Sequence, residues 1–265
     1  MKMSAKMIVT DLDGTLLRTD KTISERTKSI LRQCRKAGIK VVHATGRGKS
    51  AEKLAPSELF DGRITINGAI AKIGEMVIYR QLIPYTTAGA ILMACNERGM
   101  KITSEHGGVQ YSNFDVSEEW ADITNFEIVD FSKHEIDAEK IYTLNPSLED
   151  KAFIEQLLPD DLYFVVTNDV NGFLGQIMHK NATKAKAVAV LAQYWNIPES
   201  EIVSFGDDYN DLDMLKFSGI GVAMENAVDE VKAIADYICL SNDEDGMSEW
   251  IRSHVDIAAC KQAVI

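Results

Sequence analysis

Apolar and polar positions along the chain change their period several times. Lys6-Met-Ile-Val-Thr10 is a short β-prone run that stops at an acidic cluster. Ser24 then caps a stretch with Ile30, Leu31, Cys34 and Ala37 at helical spacing, which Gly38 ends. Ile39-Lys-Val-Val-His-Ala44 reads as a second strand that runs into Thr45-Gly-Arg-Gly48, where another helix is expected to open. From Arg63 to Ile83 the runs become short and β-prone around two hairpin-type turns, Asn67-Gly68 and Gly74-Glu75.

The middle of the chain has a different order. The pattern predicts a helix over 87–98, strands near 101–103 and 110–112, a strand at 140–144, a helix over 148–158, and strands at 162–167 and 175–178. Strict alternation resumes after His179, with a helix over 183–195, a strand at 202–205, a helix after Asn210, a strand at 220–223, a helix near 228–235, a strand near 237–240 and a closing helix from Gly246. Strand and helix in alternation imply a parallel sheet covered on its faces. The fold class expected is therefore α/β, a Rossmann-like parallel-sheet core (1–83 and 179–265) into which an α+β domain (84–178) is inserted.

Composition narrows the function. Lys plus Arg total 28 against 40 for Asp plus Glu, a formal charge of −12 that repels nucleic acid and anionic membranes at long range. An anion site in such a chain must be built locally. No apolar run approaches the roughly 20 residues of a membrane span, and the start lacks a signal-peptide core, so a cytoplasmic location is expected. Cys34, Cys95, Cys239 and Cys260 are far apart and form no CxxC pair, which reads as reduced, buried small hydrophobes.

Four motifs stand where a strand ends or a helix starts. Asp11-Leu12-Asp13-Gly-Thr15 follows the first strand, and residues i and i+2 of an extended chain face one way, so both carboxylates can serve one site. Paired carboxylates there can hold a hard cation or divide the roles of nucleophile and general acid/base. Thr45-Gly46-Arg47 offers a hydroxyl and backbone N–H groups suited to a phosphate. Lys184 opens a helix with the apolar face Val188, Leu191 and Ala192, with Lys180 and Lys186 as nearby alternatives. Gly206-Asp207-Asp-Tyr-Asn210-Asp211 crowds oxygen donors after another apolar strand, where a cation would offset their repulsion.

In this order the motifs resemble those of the haloacid dehalogenase superfamily of phosphohydrolases, and more closely its Cof-type branch with a large inserted α/β cap. Leu16-Leu17, Asn67-Gly68, Ala223-Met-Glu-Asn-Ala227 and Asn242-Asp-Glu-Asp-Gly246 extend the resemblance over nearly the whole chain. It implies a Mg²⁺-dependent phosphatase that forms an aspartyl-phosphate on Asp11, with Asp13 as general acid and base. It also implies Mg²⁺ on the Asp11 carboxylate, the Asp13 carbonyl and Asp207, with Asp211 behind. Thr45, Lys184, Asn210 and the amides of Leu12 and Gly46 would hold the phosphoryl oxygens. The expected substrate is a small phosphorylated metabolite such as a sugar phosphate, with no nucleic-acid or membrane partner and the chain a monomer or homodimer. A phosphomutase, or a phospho-acceptor regulatory domain, is the alternative. Glu105, His106, Tyr111 and Asn113 are candidates to line the substrate entrance.

Overall fold

The computed structural model describes residues 2–257 apart from 122, 170 and 171. The first segment contributes β1 (Met7–Thr10), α1 (Glu25–Lys36), β2 (Lys40–Ala44), α2 (Ala51–Leu54), β3 (Gly62–Thr65), β4 (Ile70–Ile73) and β5 (Met76–Arg80). The insert contributes α3 (Tyr85–Glu97), β6 (Ile102–His106), β7 (Val109–Ser112), β8 (Phe126–Ile128), β9 (Lys140–Leu144), α4 (Leu148–Leu157), β10 (Leu162–Asp169) and β11 (Gly172–His179). The last segment adds α5 (Lys184–Tyr194), β12 (Ile202–Gly206), α6 (Leu212–Phe217), β13 (Ile220–Ala223), α7 (Asp229–Ile234), β14 (Tyr237–Ile238) and α8 (Gly246–His254).

The first and last segments share one sheet in the order β14-β13-β12-β1-β2-β3-β4-β5. It is parallel from β14 to β3 and finishes with the antiparallel β4 and β5. Alternation along each strand feeds two apolar layers. Ile8, Val41 and Val203 pack with Leu31 and Cys34 of α1 and with Trp250 and Ile251 of α8. Met7, Val9 and Val42 pack with Val188 and Leu191 of α5 and Met214 of α6. With both faces covered, the central strands must be apolar on both sides, hence the unbroken runs that mark them in the sequence. Ser24 caps α1 as expected, its hydroxyl accepting from the Thr27 N–H at 3.1 Å.

The insert has its own sheet, ordered β10-β11-β9-β6-β7-β8, and its own core around Ile91, Leu92, Ile102, Ile141, Ile154 and Ile177. The chain divides into Met1–Arg80 with Thr183–Ile265, and Gln81–Ala182. Those breaks lie a few residues from the expected 83/84 and 178/179. Ile83 bridges to Ala138, and β11 runs on to His179 with the Lys180 N–H on the Asp161 carbonyl, so both ends belong to the insert. β8 is absent from the sequence reading, because three residues beside β7 are too few to show a period. Cys34, Cys95 and Cys239 are buried, whereas Cys260 lies outside the described residues. Among the described residues no helix is long and apolar enough to cross a membrane.

One buried polar group in β2 carries no hydrogen bond on its Nδ1. His43 is 4% exposed and meets Phe60 edge-on at 4.8 Å. Burial, aided by the charge of Arg63, pushes its imidazole down to about 3. The unfolded chain therefore binds a proton that the fold excludes, and stability falls as pH drops below about 6.5. The free energy of urea unfolding of wild type minus that of His43→Val is expected to fall by about 2 kcal/mol between pH 7 and pH 5. A difference independent of pH would mean that the imidazole is not held neutral.

Candidate active site

β1 lies between β2 and β12, and its register sets Thr10 beside both His43 and Phe205. The three strands therefore end together. The next residues, Asp11, Thr45 and Asp207, open on one cleft that Asp13, Arg47 and Asn210 also line. Such a position, at the carboxyl ends of strands where the chain departs to opposite sides, is where open α/β sheets bind ligands.

Lys184 lies at the floor of the cleft. Its side chain is fully buried and its ammonium donates to Asp11 Oδ1 and to Asp211 Oδ1, each at 2.7 Å. Thr183 caps α5 through the Lys186 N–H and so sets where Lys184 leaves the helix. Burial alone would lower the Lys184 ammonium, but the two carboxylates outweigh it and keep it charged. Lys180 and Lys186 are both exposed, so burial singles out Lys184 among the three.

The acids are held unequally. Asp211 is completely buried, and its second oxygen accepts from the Asp207 and Asp208 N–H groups at 3.0 and 3.2 Å. Asp207 accepts from the Thr15 hydroxyl at 2.6 Å. Burial, with repulsion from Asp211 and Asp208 and against the Thr15 bond and Lys184, pushes Asp207 up to about 7. Asp11 is raised well above the usual carboxylate range, by burial first and then by Asp211 and Asp207, against the pull of Lys184. Asp11, Asp207 and Asp211 each offer an oxygen within 4.8 Å of the others. Oxygen-only donors suit a hard cation, and a cation reverses the two upward shifts, so the residues fit a metal.

Asp13 faces a different environment. Arg47 grips both its oxygens, Nε at 2.5 Å and Nη2 at 2.8 Å, and Lys21 donates at 2.8 Å. Burial would raise this carboxyl, but those bonds outweigh it and hold it below the usual range. The sequence reading gave no task to Arg47 or Lys21, although Arg47 stands inside a motif it quoted. The helix expected after Thr45 does not form there. Residues 45–48 are a turn in which the Arg47 N–H donates to the Thr45 hydroxyl at 3.1 Å, and the four-residue α2 starts only at Ala51. The Leu12 side chain is in the core, and Leu12 is not among the residues lining the cleft.

The later motifs pin the loop that carries Asp13. Asn226 donates to the Gly14 carbonyl at 2.8 Å and accepts from the Asn242 N–H, whose own carboxamide donates to the Leu17 carbonyl. Asp243 and Asp245 hold Thr19 and Arg18. In the insert, the four candidate entrance residues are engaged locally. Glu105 accepts from the Tyr142 hydroxyl, His106 meets the Asp137 carbonyl, the Tyr111 ring lies 5.0 Å from His134, and Asn113 ties Ile102 to Met100 and Asn96.

Residues 8–251 match the haloacid dehalogenase-like hydrolase family. The 5-amino-6-(5-phospho-D-ribitylamino)uracil phosphatase YitU of Bacillus subtilis is 26% identical over 97% of this chain and 100% of its own length. The crystal structure of TM0651 from Thermotoga maritima superposes with a TM-score of 0.84 at 28% identity, over 96% of this chain and 98% of that one. The subclass IIB sugar phosphatase BT4131 gives 0.78 at 28% identity, over 94% and 98%. The chain belongs to the haloacid dehalogenase-like hydrolases, in their Cof-type branch, and is a phosphatase.

Because Asp207 is pushed up to about 7, a metal must displace its proton to bind. Metal affinity, read by calorimetry from pH 5.5 to 8 in buffers of different ionisation enthalpy, is expected to rise by at least about tenfold per pH unit below 7, with protons released on binding. Affinity independent of pH, with no proton released, would contradict the coupled carboxylate site.

Proposed function

We propose that the cleft hydrolyses a small phosphomonoester, a sugar phosphate or similar metabolite, through an aspartyl-phosphate on Asp11 with Mg²⁺ as the metal. The observation that carries this reading is the buried Asp11 carboxylate, set by Lys184 at the cleft floor and faced by a second acid two residues on. Relatives that act on a ribityl phosphate and on sugar phosphates support the substrate class. The Asp11 carboxylate, the Asp13 carbonyl and Asp207 would hold the metal, with Asp211 orienting them from behind. When bound, Mg²⁺ supplies positive charge against the phosphoryl oxygens and the crowded carboxylates.

The chain's own residues then divide the work. An Asp11 oxygen attacks phosphorus as the bond to the leaving oxygen breaks, and Asp13 delivers a proton to that oxygen. Asp13, now a carboxylate, takes a proton from water as the water oxygen attacks phosphorus, which frees Asp11 and inorganic phosphate. Thr45, Lys184, Asn210 and the amides of Leu12 and Gly46 hold the phosphoryl oxygens. The Arg47 and Lys21 bonds suit Asp13 as a base, and they must yield on substrate entry for it to act as an acid. All these groups belong to the outer unit, so the choice among metabolites is assigned to the insert.

Asp11→Asn is expected to lower turnover by at least about 1,000-fold with folding intact, since an amide oxygen is a poor nucleophile. Rapid quench with ³²P-labelled substrate should trap a hydroxylamine-labile label on wild type and none on the variant. A variant that still turns over at more than a thousandth of the wild-type rate would remove the covalent route.

Asp13→Asn is expected to cost about 100- to 10,000-fold on alkyl phosphates, and less on nitrophenyl phosphate, whose leaving group needs no proton. Equal losses on both esters would show that Asp13 is not the acid.

A further inference from the structure

The turn between β3 and β4 has no task in this scheme, yet its backbone is unusual. Ile66, Asn67 and Gly68 follow one another at φ of 53°, 52° and 102°. Asparagine and glycine visit the left-handed region readily, but a β-branched residue does so only when its surroundings insist. A hairpin needs two such residues at most, and here a third is added.

What the turn touches explains the cost. The Ile66 N–H donates to the Arg47 carbonyl and the Asn67 N–H to the Thr45 carbonyl, both at 2.9 Å. The Asn67 side-chain oxygen accepts from Asn210 Nδ2 at 2.9 Å, and a Cβ on Gly46 would come equally close to that oxygen. On the other side, a Cβ on Gly68 would collide with the Thr183 carbonyl and lie 2.8 Å from the Lys184 nitrogen. One turn therefore borders the Thr45–Arg47 segment, the loop after β12 and the start of α5. Its backbone bonds are spent on the first of these rather than across the β3–β4 pair.

We propose that Asn67 is a positioning residue of the phosphoryl-transfer site, its carboxamide setting Asn210 and its N–H setting Thr45, so that the phosphate cradle closes at one spacing. Orientation of groups around phosphorus carries much of the catalysis in this chemistry, and displacements near 1 Å cost about 100-fold. The assignment rests on reading the cleft as a phosphatase site, which Asp11→Asn decides independently.

The test is a double-mutant cycle of Asn67→Gly and Asn210→Ala, read as kcat/KM on nitrophenyl phosphate and as the inhibition constant of inorganic phosphate. Glycine keeps the left-handed backbone and removes only the carboxamide. Asn67→Gly is expected to lower kcat/KM by about 10- to 100-fold, to weaken phosphate binding, and to leave the melting temperature nearly unchanged. With Asn210→Ala already present, the further loss should shrink to about twofold, because both changes break one bond. Asn196→Gly, at an exposed left-handed asparagine remote from the cleft, should match wild type. Independent losses that multiply, or an Asn67→Gly enzyme within twofold of wild type in both readouts, would overturn the assignment. If Asn67→Gly does not fold, Asn67→Asp carries the test, since it keeps the acceptor oxygen and the left-handed preference. Its kcat/KM should stay within about tenfold of wild type, and a larger loss in folded protein would overturn the assignment.

Discussion

Everything in the cleft is arranged around one buried cation. Lys184 is the bulkiest fully buried side chain of the described residues, and an ammonium without partners at that depth would shed its proton. Asp11 and Asp211 prevent this, but only because α5 and the ends of β1 and β12 are held in fixed register. Replacing Lys184 would leave two buried carboxylates without a counter-charge in a poor solvent, which costs several kcal/mol, whereas replacing Asp11 leaves a balanced pair. Asp11, the proposed nucleophile, is thereby positioned by an interaction that also links the first and last segments of the outer unit.

The rest of the site follows from charge compensation. The chain is acidic, and the cleft concentrates that excess at Asp11, Asp13, Asp207, Asp208 and Asp211. Lys184 offsets the acids at the floor, while Arg47 and Lys21 offset Asp13 nearer solvent. Two carboxylates two residues apart thus experience opposite surroundings, one raised by burial and one lowered by guanidinium and ammonium bonds. These directions are the reverse of what an attacking carboxylate and a general acid require, so a cation beside Asp11 and release of Asp13 from Arg47 and Lys21 would have to invert both.

Legibility in the sequence tracked distance along the chain. The Asp11 motif could be read because a four-residue apolar strand and the turn after it are local, and the same holds for Asp207 to Asp211. Lys184 was one of three lysines within seven positions, and only burial separates it from Lys180 and Lys186. Arg47 and Asn67 act across gaps of 34 and 143 positions, on Asp13 and Asn210, and no period or spacing carries such a pairing. The turn at Asn67 was legible as a turn, whereas its left-handed Ile66 was not, since isoleucine argues against that backbone. The short α2 in place of a helix at Thr45 shows a glycine-rich segment bending for its neighbours rather than for helix propensity.

The position of β1 between β2 and β12 also bears on how the protein is made. β1 pairs with β2 across roughly 30 positions but with β12 across roughly 190, because the insert and α5 intervene. At elongation rates of about 5–20 residues per second, roughly 10–40 seconds separate the emergence of β1 and β12 from the ribosome. Through that interval the apolar edge of β1 has no neighbour on one side, while the insert, with a core of its own, is complete enough to fold first. The cleft thus cannot close until β12 has emerged, and the interval exposes an apolar strand edge that a holding chaperone would be expected to cover.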